Sequence, residues 1–285
     1  MALKIDAHQH FWRPARGDYG WLTPELGPIY RDFLPAELAP MLNAAGIDRT
    51  ILVQAAPTVM ETDWLLDLAE KTPFVAGVVG WADFAAPDAA TKIAAFGEHP
   101  LLVGLRPMIH DIADPDWMLG AALEPAFAAL KAAGLVFDAL VKPPHLSRLL
   151  TLADRHPDLA IVIDHGAKPP ISAGTLDPWL NSWRADMAAL AARANITCKL
   201  SGLVTEAGNA WDIGKLKPYV AHLLTVFGPD RLIFGSDWPV CTLAASYAAW
   251  HDAARALTAH LSAPQQDAIF GGNATRIYLS QRGRA

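Results

Sequence analysis

Eight short runs of apolar and β-branched residues punctuate this chain, and most are followed by a stretch with helical spacing. The runs cover residues 4–10, 50–54, 74–81, 101–108, 136–142, 160–165, 196–201 and 231–237. Several are almost wholly hydrophobic until their last residues, the pattern of parallel strands buried on both faces. Between them, 35–45 ends at Gly46 and 125–133 at Gly134, both good helix-terminating residues, and His156-Pro157 stops the leucine-bearing segment 146–155. Strand–helix alternation implies a parallel sheet. Eight units favour one closed (β/α)8 TIM barrel spanning 1–285 over an open doubly wound sheet. An open sheet would more often carry a glycine-rich turn after its first strand, where this chain has His10-Phe11-Trp12.

A barrel gathers its active site at the C-terminal ends of the strands. The polar residues expected there are His8, His10, Gln54, Arg106, Lys142, His165, Lys199 and Asp237. Strict alternation along the first strand puts Asp6, His8 and His10 on one side and Ile5, Ala7 and Gln9 on the other. Two adjacent imidazoles can hold a divalent cation or polarise a carbonyl, though an isolated His-x-His is more often a hydrogen-bonded pair. The distant strand end Phe234-Gly235-Ser236-Asp237 shifts that balance. Its carboxylate can take a proton from water, or else cap a helix, a reading that Trp238-Pro239 weakens.

His165 closes an apolar run, and Arg106 would place a fixed cation at the mouth or form a structural ion pair. Lys199, inside a strand, needs a carboxylate partner, with Asp237 and Glu206 as candidates. Trp12, Trp81 and Trp238 follow strand ends, where an indole can pack on a sugar-like ring or simply fill the core. The loops 12–33 and 167–178 are expected to overhang the mouth.

Composition narrows the class. With 52% hydrophobic and 18% charged residues the chain can build a large core. A formal charge of −6 disfavours nucleic acid. No apolar run reaches the roughly 18 residues that cross a bilayer, so no membrane partner is expected. The charged start shows no secretory signal, and Cys198 and Cys241 have no Cys-x-x-Cys spacing. The expectation is a soluble cytoplasmic protein, a monomer or small homo-oligomer.

The series IDAHQHFW, VGWAD, GLRPM, VIDHGAKP, CKLSGLVTEA and RLIFGSDWPV resembles the amidohydrolase superfamily, and within it the branch of sugar-acid lactonases that open L-fuconolactone and L-rhamnonolactone. The matches run from Ile5 to about Tyr278. The resemblance implies a barrel hydrolysing an aldonolactone, with catalytic residues Asp237, His8, His10, Arg106 and His165. Trp12, Gln54, Trp81, Lys168, Lys199, Glu206 and Trp238 are the expected substrate-binding set. There is one departure: metal-dependent members usually add a ligand at a middle strand, and here Lys142 is followed by Pro143-Pro144. The implied metal content is therefore one optional, weakly bound divalent cation, zinc, on His8, His10, His165 and Asp237, with no obligatory cofactor. Two other readings stay open, a metal-dependent amidohydrolase or decarboxylase acting on another small carboxylate or cyclic substrate, and a barrel that binds sugar acids without turning them over.

Overall fold

The strands form one parallel sheet in sequential order: β1 (Ile5–Gln9), β2 (Arg49–Val53), β3 (Val75–Gly80), β4 (Leu102–Leu105), β5 (Val136–Ala139), β6 (Ile161–Ile163), β7 (Ile196–Leu200) and β8 (Leu232–Phe234). The sheet closes where β8 runs on past Phe234. Asp237 N donates to His8 O at 2.7 Å, and His10 N donates to Trp238 O at 2.7 Å. The computed structural model describes residues 3–174 and 178–280. Part of the anticipated 167–178 loop, and the extremes of the single domain 1–285, therefore lie outside the described residues.

Around the barrel stand α1 (Pro35–Ala45), α2 (Val59–Glu70), α3 (Ala89–Gly97), α4 (Glu124–Ala132), α5 (Leu146–Arg155), α6 (Pro178–Ala191), α7 (Leu203–Ala207), α8 (Ile213–Phe227) and α9 (Tyr247–Leu257). Local chemistry sets their ends. Gly46 terminates α1 at φ 66°, and the Thr58 hydroxyl caps α2 by accepting from Glu61 N at 3.1 Å.

Two cores result. Ile5, Ile51, Val53, Val79, Val103, Val136, Val162 and Ile233 fill the barrel, and a larger apolar layer lies between strands and helices. Ala274, Tyr278 and Leu279 join the inner core and plug the end where the strands begin. Asn273 ties this plug to β8, its Nδ2 donating to Leu232 O at 2.7 Å. Among the described residues, no helix is long and apolar enough to cross a membrane.

The first strand departs from simple alternation. Its pairing with β2 shifts register between Asp6 and Gln9. Ile5 and Ala7 pack in the inner core, whereas Asp6 accepts from Tyr247 Oη of α9 at 3.1 Å and from Ser236 N at 2.8 Å. Asp6 thus braces the barrel wall and does not share a face with the histidines. The irregularity re-aims the chain, as bulges do beside active sites.

Candidate active site

Three segments bring their side chains to one point at the barrel mouth. The end of β1 supplies His8 and His10, the residues after β6 supply His165, and the residues after β8 supply Asp237. Asp237 Oδ1 lies 3.3 Å from His10 Nε2, 3.7 Å from His8 Nε2 and 3.9 Å from His165 Nε2. The two Nε2 atoms of His8 and His10 are 3.2 Å apart. All four residues are buried, and His10, His165 and Asp237 line a cup of about 260 Å³ with Trp21, Arg106, Met108, His110 and Lys168.

Each segment reaches this point by its own route. Asp237 takes φ 58°, in the left-handed region, while its amide stays bound to the β1 carbonyl. After β6 the chain makes a left-handed turn through His165, Gly166, Ala167 and Lys168, with φ of 53°, 57°, 62° and 51°. Such a turn costs about 1–2 kcal/mol for each residue that is not glycine. It aims both His165 and Lys168 at the cup. Gly202 leaves room for it: at φ 65°, a Cβ there would stand 2.6 Å from His165 Nδ1. His165 Nδ1 is in turn 2.9 Å from Ser201 Oγ.

Beneath the cup lies a buried ionic group. Arg106 Nη1 donates to Asp164 Oδ2 at 3.2 Å, and its Nη2 donates to Gln54 O. Its Nε has no hydrogen-bond partner among the described residues. Lys199 Nζ donates to Asp138 Oδ2 at 2.5 Å and lies 3.0 Å from Asp164 Oδ1 and 3.1 Å from His8 Nδ1. Tyr278 Oη, from the plug, donates to Asp138 Oδ1 at 2.8 Å.

Burial works against ionising every one of these groups, and their neighbours decide the outcome. Burial raises the Asp237 carboxyl, but its contacts with His165 and His10 more than offset this and hold it below the usual carboxylate value. Asp164 behaves alike: burial opposes ionisation, the Lys199 charge followed by His8 and Arg106 outweighs it, and the group sits well below its ordinary range. Burial, reinforced at His8 by Lys199, pushes the His8 and His165 rings far down, so both are neutral.

The remaining expected residues divide by position. Lys168 lines the cup and pairs with Glu206 at 2.9 Å, and Glu206 itself faces an outer vestibule with Lys142 and His110. Lys142 is exposed and stands away from the central cluster. Trp12, Gln54, Lys199 and Trp238 are buried and do not line the cup. Trp12 donates to the Ile29 and Arg31 carbonyls, and Trp238 packs on Phe11 and Phe33. Trp81 lines a neighbouring cleft with Trp117 and Phe84, which shares Trp21, Met108 and Asp111 with the cup. The partner found for Lys199 is Asp138 with Asp164, not Asp237 or Glu206. Asp138 and Asp164 escaped the sequence reading, although a carboxylate inside an apolar strand demands a partner.

A barrel with histidines at the end of its first strand and an aspartate after its last defines an amidohydrolase-type hydrolase. The chain belongs to the amidohydrolase family, which matches residues 5–279. Among its relatives, an L-fucono-1,5-lactonase of Burkholderia ambifaria is 47% identical, over 99% of this chain and 97% of that protein. An L-fucono-1,5-lactonase of Burkholderia multivorans is 39% identical, over 97% and 96%. A crystal structure of an amidohydrolase from Burkholderia multivorans with bound HEPES superposes with a TM-score of 0.92 at 39% identity, covering 97% of this chain and 99% of that one. A second crystal form, with bound zinc, gives 0.91 at the same identity and coverage.

Proposed function

We propose that this protein is a sugar-acid lactonase that hydrolyses L-fucono-1,5-lactone to the open-chain aldonate. The observation that carries the reading is the convergence on Asp237 of three imidazoles, beside the buried guanidinium of Arg106, in a cup sized for one sugar ring. Full-length similarity to two L-fucono-1,5-lactonases supports the same substrate. L-Rhamnonolactone and related deoxy-sugar lactones are the next candidates.

Asp237, ionised at neutral pH, takes a proton from water as the water oxygen bonds to the lactone carbonyl carbon. Negative charge then develops on the carbonyl oxygen. Arg106 is the fixed positive group on the cup wall, and its charge stabilises that oxyanion. His8 has no exposed surface, so its part is to place His10 and Asp237 and not to touch substrate. The carbon–ring-oxygen bond breaks, and the proton held by Asp237 passes to the leaving alkoxide, with His165 the alternative carrier. Lys168 and Glu206 are placed to bind the polyol hydroxyls.

The same residues fit one metal ion. Ligands about 2.0–2.2 Å from zinc stand roughly 3.3–3.6 Å apart around a tetrahedron. The His8–His10 separation and those of Asp237 Oδ1 from His10, His8 and His165, from 3.2 to 3.9 Å, are of that size. Of these, His8, His165 and Asp237 form a compact buried triad. Zinc held there would supply a Lewis acid and a more acidic water. We infer that the cation is optional, because the chain already provides a base and a fixed positive charge.

An acid-release assay with L-fucono-1,5-lactone and a pH indicator tests the activity. Catalysed release is expected, and a rate no faster than spontaneous hydrolysis rejects the reading. Chelator-treated protein should keep most of its activity, whereas complete loss restored by zinc would make the metal obligatory.

A further inference from the structure

His8 is wholly buried, and each of its ring nitrogens faces a cation. Lys199 Nζ is 3.1 Å from Nδ1, and Arg106 Nη1 is 3.4 Å from Nε2. A neutral imidazole has one lone pair and one N–H, so it can satisfy only one of them. Lys199 is the nearer. Arg106 has other acceptors in Asp164 Oδ2 and Gln54 O. Asp164 Oδ1 lies 3.3 Å from His8 Nδ1 and 3.0 Å from Lys199 Nζ.

We propose that Lys199 is a positioning residue that holds neutral His8 as the Nε2–H tautomer, and that Asp164 Oδ1, now paired with Lys199, is the acceptor for the opposite tautomer. His10 completes the pattern. Its Nδ1 is 2.7 Å from Val53 O, and a carbonyl only accepts, so His10 carries a proton on Nδ1 and turns Nε2 toward His8 and Asp237. The His8 Nε2 proton then lies between His10 Nε2 at 3.2 Å and Asp237 Oδ1 at 3.7 Å. A directed chain results, from Lys199 through His8 and His10 to the β2 carbonyl. One proton stands where a metal's positive charge would stand.

The consequence concerns zinc. A histidine that ligates through Nε2 carries its proton on Nδ1 and donates it to an outer acceptor. His8 can do so only by moving that proton to the side where Lys199 now donates, with Asp164 Oδ1 accepting it. Lys199 therefore works against the metal-bound arrangement and Asp164 for it. Asp138 and Tyr278 anchor Lys199 from below, so the barrel plug is linked by hydrogen bonds to the cup.

The inference rests on the placement of His8 beside the proposed catalytic cup, but its test does not use turnover and so can fail or succeed separately from the lactonase reading. Long-range ¹H–¹⁵N spectra of histidine-labelled, chelator-treated wild-type protein should show His8 with a bare Nδ1 and a protonated Nε2. Adding zinc should reverse the two. A proton on Nδ1 in the metal-free protein, or no reversal with zinc, overturns the proposal. Lys199→Met should bind zinc at least tenfold more tightly in a chelator competition, and unchanged or weaker binding counts against it. Should that variant not fold, the wild-type spectra still decide.

Discussion

Two ends of the site present the same kind of side chain by opposite means. At the β1/β8 closure, His8 and His10 are set by extended backbone and Asp237, a single residue at φ 58°, by the amides and carbonyls that pair across the junction on either side of it. At the end of β6, His165 is set by a left-handed turn that few residues adopt willingly. The first placement follows from closing the barrel at all. The second has to be held by its surroundings, with Gly202 making room and Ser201 pinning the ring. Catalytic geometry here is partly a by-product of fold closure and partly a local strain maintained for its own sake.

The largest effect should come from the closure side. Asp237→Asn removes the base while keeping the shape, and kcat should fall by about 10²–10⁴-fold with the circular dichroism spectrum unchanged. Activity near wild type would remove the base assignment. On the turn side, Gly202→Ala drives a methyl into the His165 ring, and displacement of that ring should cost about 10²-fold in kcat/KM. A variant that keeps full activity would mean that His165 need not stand where the turn puts it.

Stability against pH probes both sides together. His8 and His165 stay neutral in the folded protein because burial lowers their pKa well below 6.5. Below that pH the unfolded chain binds protons that the folded one refuses, so the contribution of these rings to stability falls with falling pH, by up to about 1.4 kcal/mol per pH unit for each ring. Buried Asp6 and Asp138, raised to about 6, and Glu61, raised to about 8, act in the opposite sense over the same range. Histidine ¹H–¹⁵N spectra recorded from pH 7 to 5 therefore isolate the rings, and protonation of either one near pH 6.5 would contradict the neutral, buried state. The smallest effect isolates the strain itself. Ala167→Gly should stabilise the protein by up to about 1 kcal/mol, the relief at φ 62° being partly offset by the freer unfolded chain.

Much of this architecture is legible in the sequence because parallel strands are buried on both faces and so write themselves as apolar runs. The polar residues ending those runs, His8, His10, Arg106, His165 and Asp237, fall at the mouth for the same reason. The register shift in β1 is not legible, since it depends on how Asp6 finds Tyr247 and Ser236 more than two hundred residues away. The cup wall is legible in part: the 12–33 loop, expected over the mouth, supplies Trp21, and His110 follows a strand end, but which loop side chains turn inward, Met108 among them, no periodicity sets. Asp138 and Asp164 leave a signal, a charge embedded in an apolar run, but naming Lys199 as their partner needs the neighbouring strands in place. The tryptophans mislead in an instructive way, for position after a strand end does not separate Trp12 and Trp238 in the core from Trp81 in the adjoining cleft.

The central claim is that residues from the first, sixth and eighth strands surround one reacting carbon. A crystal structure with the aldonate product bound tests it most directly. The account predicts the product carboxylate in the cup, with the oxygen that came from water beside Asp237 and the other oxygen facing Arg106. Product lodged instead in the Trp81–Trp117 cleft, with the histidines and Asp237 untouched, would contradict it.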